Sequence, residues 1–194
     1  MNIGKTLYVK NRREWRAWLA KNHRTASEIW LIYYKKQSGK PRIPYNDAVE
    51  EALCYGWIDS ILKPIDEQCF AQRFSPRRKN SRLSEMNKER IRRLTKAKKM
   101  TRIGLESIQH HLGKNPKSSA GLHSFVKFTF PGDIIEVLKA NPAAWSHFKK
   151  FPISYKRIRI GWIDAARHRP EIFNQRLKYF LKMTVKNKKF GMVQ

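Results

Sequence analysis

Apolar positions in this chain change their spacing several times, and each change marks an element. From about Arg12 to Asn22, Trp15, Trp18 and Leu19 recur three and four apart, the period of a helix with one buried face. Ile29-Trp-Leu-Ile-Tyr-Tyr34 is then an uninterrupted apolar run, which predicts a strand ended by Lys35-Lys36 and turned by Ser38-Gly39-Lys40-Pro41. A second helix is expected to start near Tyr45 to Asp47, with Asn46 as its N-cap. It turns Val49, Ala52 and Leu53 inward until Gly56 stops it. Trp57–Leu62 and Cys69–Phe74 read as two strands joined through Lys63-Pro64-Ile65-Asp66.

Further on the helical period takes over. Ser84 is the expected N-cap of a basic helix reaching about Lys99, and Thr101 caps another running to Leu112 before Gly113. Residues 113–124 are rich in glycine, serine and lysine and read as a linker. After Phe125-Val-Lys-Phe-Thr-Phe130, prolines punctuate four helices. Pro131 leads into the first, which ends at Asn141, Pro142 opens the second, Pro152-Ile-Ser154 caps the third, and Arg169-Pro170 precedes the fourth. The third shows Tyr155, Ile158, Trp162, Ala165 and Ala166 on one face, and the fourth shows Phe173, Leu177, Phe180, Leu181 and Thr184. The fold class is therefore α+β. A small antiparallel sheet with helices over residues 1–112 precedes the linker at 113–124, and an α-helical module covers 125–194. Gly-Trp-Ile-Asp occurs at Gly56–Asp59 and again at Gly161–Asp164, but one copy ends a helix and the other lies inside one, so coincidence is the default over duplication.

Charge changes the picture more than length does. Over 194 residues, 42 Lys and Arg stand against 15 Asp and Glu, a formal +27. The surplus is carried from residue 71 onward, and it points to an anionic partner, nucleic acid or an acidic protein surface, with a solvated basic surface as the alternative. Two cysteines, Cys54 and Cys69, are too few for a zinc site or a disulfide framework. The N-terminal residues lack a signal-peptide pattern and no apolar run reaches membrane-spanning length, so a cytoplasmic protein is expected.

One cluster carries candidate chemistry: Trp57, Asp59, Lys63, Arg73, Phe74, Arg77, Arg78, Ser81 and Asn87. Strand alternation puts Trp57 and Asp59 on one face, and Arg73 on the neighbouring strand is expected to approach Asp59. The result is either an anion- or peptide-binding pocket or an ion pair that fixes the hairpin. A weaker reading makes Asp59 and Arg73 the centre of a small-molecule enzyme. Lys88, Arg92, Lys96 and Lys99 fall within about 80° of one helix face, and with Lys79 and Arg82 they form the candidate polyanion-binding surface. No RNA-recognition motif, KH loop, zinc finger, nucleophile elbow or glycine-rich phosphate loop is present, so binding of nucleic acid would be independent of sequence. A helix-turn-helix drawn from 155–168 and 171–185 has aromatic faces better suited to core packing. The six histidines show no metal-ligand spacing, and no cofactor is expected.

The run Asp47-Ala-Val-Glu-Glu-Ala-Leu-Cys-Tyr-Gly-Trp-Ile-Asp-Ser60, with Lys63-Pro-Ile-Asp66 and Arg73-Phe-Ser-Pro-Arg-Arg78, resembles the YdeI/OmpD-associated, or bacteriocin-protection, family. Trp15 to His23, Glu28-Ile-Trp-Leu31, Tyr34-Lys-Lys36 and Ser81 to Asn87 look like its N-terminal region. Pro131-Gly-Asp-Ile134, Asn141-Pro142, Phe148, Pro152, and Trp162 to Arg167 through Arg176 look like its C-terminal helical module. Leu83 and Ser75 depart from its usual tryptophan and threonine. The resemblance implies a cytosolic stress-tolerance accessory protein, linked to bacteriocins or cationic antimicrobial peptides, with no catalytic residue set or cofactor. It brings no porin contact to so basic a chain.

Overall fold

A computed structural model of the protein describes residues 2–79, 81–111 and 128–191. The chain divides into two compact units, residues 1–81 with 90–121, and residues 82–89 with 122–194. The linker expected at 113–124 lies outside the described residues.

In the first unit the strands β1 (Thr6–Leu7), β2 (Ile29–Tyr34), β3 (Trp57–Pro64) and β4 (Cys69–Pro76) form one sheet in the order β1-β2-β4-β3. β2, β4 and β3 pair antiparallel, as expected, and the two-residue β1 adds a parallel edge. The interior position of β2 explains its unbroken apolar run, with Ile29, Trp30, Leu31 and Tyr33 all buried. Helix α1 (Arg12–Asn22) starts where Asn11 accepts from Glu14 N and the Glu14 carboxylate accepts from Lys10 N, an arrangement close to a capping box. It buries Trp15 and Leu19, and Trp15 Nε1 donates to Ala48 O at 2.9 Å.

Helix α2 (Tyr45–Cys54) follows Pro44, which caps no amide through its side chain. Asn46 is therefore inside the first turn and not the N-cap expected from sequence; its Oδ1 instead accepts from Arg90 Nη2 at 2.7 Å. Beyond Cys54, Gly56 adopts φ +73, a left-handed conformation that ends the helix and releases Trp57 into β3. Helix α3 (Glu85–Lys96) starts at Ser84, whose Oγ accepts from Asn87 N. It closes with Lys98 N on Thr95 O and Lys99 N on Leu94 O, a Schellman motif that places Lys98 at φ 55. Thr101 caps α4 (Arg102–Glu106), which is shorter than expected and is followed by a 3-10 turn over Gln109–His111.

The second unit contains α5 (Gly132–Lys139), α6 (Pro142–Lys150), α7 (Ile153–Asp164) and α8 (Pro170–Val185). Ile134, Leu138, Ala144, Phe148, Phe151, Tyr155, Ile160, Ile163 and Phe180 make its core. The stripe expected on α8 is present, with Phe180 and Thr184 buried and Phe173, Leu177 and Leu181 packed beside them. On α7 the expected stripe is corrected. Tyr155, Arg157, Ile158, Arg159, Ile160 and Ile163 are all buried, whereas Trp162 is only part-buried and Ala165 is exposed. A helix packed on several sides cannot show a single apolar face.

Candidate functional site

Register decides what the sequence-predicted cluster becomes. Asp59 pairs with Phe74 across β3 and β4, and Trp57 pairs with Pro76, so Trp57, Asp59 and Phe74 share one face of the sheet. That face packs on α1: the Trp18 and Trp57 ring centroids are 5.7 Å apart, and those of Trp15 and Phe74 5.4 Å. Trp57 and Phe74 are buried there, with Trp57 Nε1 donating to His23 O at 3.2 Å, so both serve the core. Arg73, one residue before Phe74, projects to the opposite face. Its Nε donates to Glu28 Oε2 at 2.7 Å and its Nη1 to Ser60 Oγ at 3.3 Å. The Asp59–Arg73 pair expected from sequence is thus not formed, because a shift of one residue moves a side chain through the sheet.

Asp59 finds a different partner, Tyr45, whose hydroxyl donates to Oδ2 at 2.6 Å. Burial first, and then the Asp59 carboxylate, pushes the Tyr45 hydroxyl above its ordinary pKa. Nearby Tyr33 is raised by burial and by Tyr45 and Asp59, and its hydroxyl is buried without a hydrogen-bond partner. A tyrosine whose proton is held this firmly, shared with a carboxylate, does not exchange it readily near neutral pH. Arg42 lies over the Tyr33 and Phe70 rings at 5.9 and 5.8 Å.

The basic turn after β4 is built from its own backbone. Arg77 N donates to Gly56 O and its Nη2 to Ser81 O, while Ser81 Oγ donates to Arg78 O at 2.8 Å. Burial lowers the Arg77 pKa, and the residue closes the turn, leaving Arg78 and Lys79 exposed. Lys63 is half-buried opposite Ala71. Asn87 belongs to the second unit, as does Arg82. No group of three or more potential metal ligands is found among the described residues.

The expected basic helix face also changes. Lys88 lies in the second unit and is neutralised by Glu85 at 2.5 Å, whereas Arg92 and Lys96 lie in the first and are exposed. Lys99 is exposed but falls beyond the left-handed Lys98, off the helical face on which it was expected.

Sequence reasoning missed the buried charges of the second unit. Arg157 sits beside Glu85 and Glu89, and Arg159 is packed against Tyr155 and Phe190. The signal was present as two arginines alternating with Ile158 and Ile160, but in isolation such a pattern reads as charge reaching water.

The carboxylates that form ion pairs among the described residues all meet an arginine, whereas Asp59 accepts from Tyr45 and Asp66 from backbone N–H groups. Asp47, Glu50 and Glu51 meet Arg12, Arg16 and Arg93; Glu28 meets Arg73; Glu106 meets Arg102; Asp133 and Asp164 meet Arg167. Lys88 is the one lysine in an ion pair among the described residues. Exposed lysines gather at the end of α8 and just past it: Lys178, Lys182, Lys186, Lys188 and Lys189, next to the exposed Tyr179.

Among known families, residues 127–187 match the one described as bacteriocin-protection, YdeI or OmpD-associated. Residues 7–107, which include Gly56–Asp59 and the Arg73–Arg78 turn, match a different family, described as a domain of unknown function (DUF8412). No curated protein and no solved structure is matched. Since the second of these matches spans just over half of its length, the chain belongs to the DUF8412 family, and it carries a YdeI/OmpD-associated domain at residues 127–187.

Proposed function

We propose that this is a non-catalytic binding protein of the cytoplasm whose cationic surface docks an anionic partner, and that this docking underlies tolerance of bacteriocins or cationic antimicrobial peptides. The observation that carries the reading is the division of labour between the two basic residue types. Among the described residues the ion-paired carboxylates all meet an arginine, whereas Lys88 is the one lysine in an ion pair and most of the other lysines are exposed. A surface of solvated, unpaired ammonium groups raises the local concentration of anions and speeds their encounter. The family name supports the tolerance part of the proposal. No helix among the described residues is long and apolar enough to cross a membrane.

A second reading, sequence-independent binding of nucleic acid, is favoured by Tyr179. This ring is 44% exposed between Lys178 and Lys182, and a base can stack on it while the lysines take phosphates. The enzyme reading centred on Asp59 and Arg73 loses its geometry, since those two groups lie on opposite faces of the sheet.

Survival of cells lacking this chain, challenged with a cationic bacteriocin, tests the proposal. The wild-type chain should restore survival, and a variant carrying Lys182→Glu, Lys186→Glu and Lys189→Glu should not. Equal rescue by both would remove the cationic surface from the account.

A further inference from the structure

Two glycines let α4 press onto the end of α2, and an open cleft lies beside that junction. A Cβ on Gly104 would collide with Cys54 O, and one on Gly56 would lie 2.8 Å from Ser107 Cβ, so the segments approach as closely as bare backbone allows. Thr101 locks the contact, its Oγ1 donating to Cys54 O at 2.5 Å and its N to the same oxygen at 3.2 Å. What this junction sets in place is Tyr55 at the end of α2 and Arg102, Ile103 and Glu106 on α4. With Arg24 and Thr101 they line a cleft of about 370 Å³ that lies wholly within the first unit. That volume is at the lower end of those that hold small molecules.

Tyr55 makes a fixed wall of this cleft. Its ring centroid is 5.2 Å from that of His23 and 5.4 Å from the Arg16 guanidinium carbon, and Arg16 is itself held by Glu51 at 2.6 Å and by Lys99 O at 3.1 Å. A wall already fixed loses little freedom when a ligand settles on it. The cations, by contrast, have capacity to spare. Arg24, exposed just past α1, meets no carboxylate among the described residues. Arg102 gives only its Nε to Glu106 Oε1, at 2.7 Å, and its two terminal nitrogens have no acceptor among the described residues. Those terminal nitrogens are the donors that suit an incoming carboxylate. Two guanidinium groups against the one carboxylate of Glu106 leave the lining with a single net positive charge, which favours a monoanion over a dianion. Tyr55 and Ile103 supply the apolar part of the lining.

We infer that this cleft binds a small aromatic monocarboxylate, its carboxylate taken by Arg24 and the free end of Arg102 and its ring set against Tyr55 and Ile103. The site goes beyond the docking function, and the lysines of α8 contribute nothing to its lining.

The test is an NMR titration of the isotope-labelled full chain with benzoate at fixed ionic strength, with neutral benzamide as the control. The amide resonances of Tyr55, Ile103 and Glu106 should shift to saturation with benzoate at millimolar concentration and should not do so with benzamide. Arg24→Met and Arg102→Met replace exposed side chains, so both should melt as the wild type does and each should weaken benzoate binding about tenfold. Saturable binding of benzamide, no saturable shift with benzoate, or wild-type affinity in either variant would overturn the inference. Phenyl phosphate bound more tightly than benzoate would overturn the assignment to a monocarboxylate. Lys182→Glu with Lys186→Glu should weaken polyanion binding yet leave the benzoate titration unchanged, which separates failure of the cleft from failure of the docking surface. A benzoate response lost with those lysines would mean attraction by general charge and would also overturn the inference.

Discussion

Glu28 holds two donors at once, Arg73 Nε at 2.7 Å and Trp30 Nε1 at 3.0 Å, and the hydrogen bond from Arg73, followed by that from Trp30, sets its pKa below the ordinary glutamate range. A carboxyl whose folded pKa is depressed contributes stability above its unfolded pKa and loses it as pH falls through the folded value. Melts of wild type and Arg73→Met should therefore differ most at neutral pH and converge below about pH 4. A gap that stays constant with pH would mean Arg73 acts through packing alone. Lys98 is a second single-residue case: φ 55 is costly for a side chain that has a Cβ, and the Schellman geometry asks only for a backbone. Lys98→Gly should raise stability by about 0.5–1 kcal/mol in urea unfolding, after allowing for the extra freedom of glycine in the unfolded chain. Asp59 shows what the sequence leaves open at this scale. Alternation gave the faces of each strand, but the register that pairs Asp59 with Phe74 and sends Arg73 to Glu28 depends on contacts between strands.

Elements are joined by ion pairs wherever their helices carry charge inward. Glu51 on α2 is 1% exposed and receives Arg16 Nη1 at 2.6 Å and Arg12 Nε at 3.4 Å, tying α1 to α2. Removing it leaves two guanidinium groups without their buried partner. Glu51→Ala should cost about 2–3 kcal/mol in denaturant unfolding, below the full penalty for breaking a buried pair because both arginines still reach water. Arg102→Ala breaks a pair that lies in solvent and should change the melt immeasurably; a loss equal to that of Glu51→Ala would contradict this ranking. Element boundaries were legible wherever local chemistry sets them: α1, β2 and the proline-led helices start where the sequence says. Two misplacements share a cause. Asn46 has the right side chain to cap a helix, yet Pro44 already fixes the start two residues earlier, and Arg90 donates to its oxygen. On α7 the period of apolar residues predicts one stripe, whereas neighbours on several sides bury Arg157 and Arg159 as well.

Across the whole molecule, a formal +27 coexists with well-paired carboxylates because arginine and lysine are used differently. The planar guanidinium suits fixed, part-buried pairing, and the strongly hydrated ammonium suits water. The size of the surplus could be read from composition. Which cations remain unpaired could not, because pairs such as Glu50 with Arg93 or Asp133 with Arg167 join residues 30 to 45 positions apart. The central claim is that the unpaired lysines form a docking surface for an anion. The most direct test is fluorescence anisotropy of a labelled single-stranded oligonucleotide, used as a generic polyanion, titrated from about 50 to 200 mM salt with wild type and with Lys182→Glu/Lys186→Glu. Binding by the wild type should persist at physiological salt, and the double variant should bind more weakly, with its log–log salt slope shallower by about 1.4, the loss of two phosphate contacts. Wild-type binding that vanishes below physiological salt, or a double variant with an unchanged slope, would contradict the account.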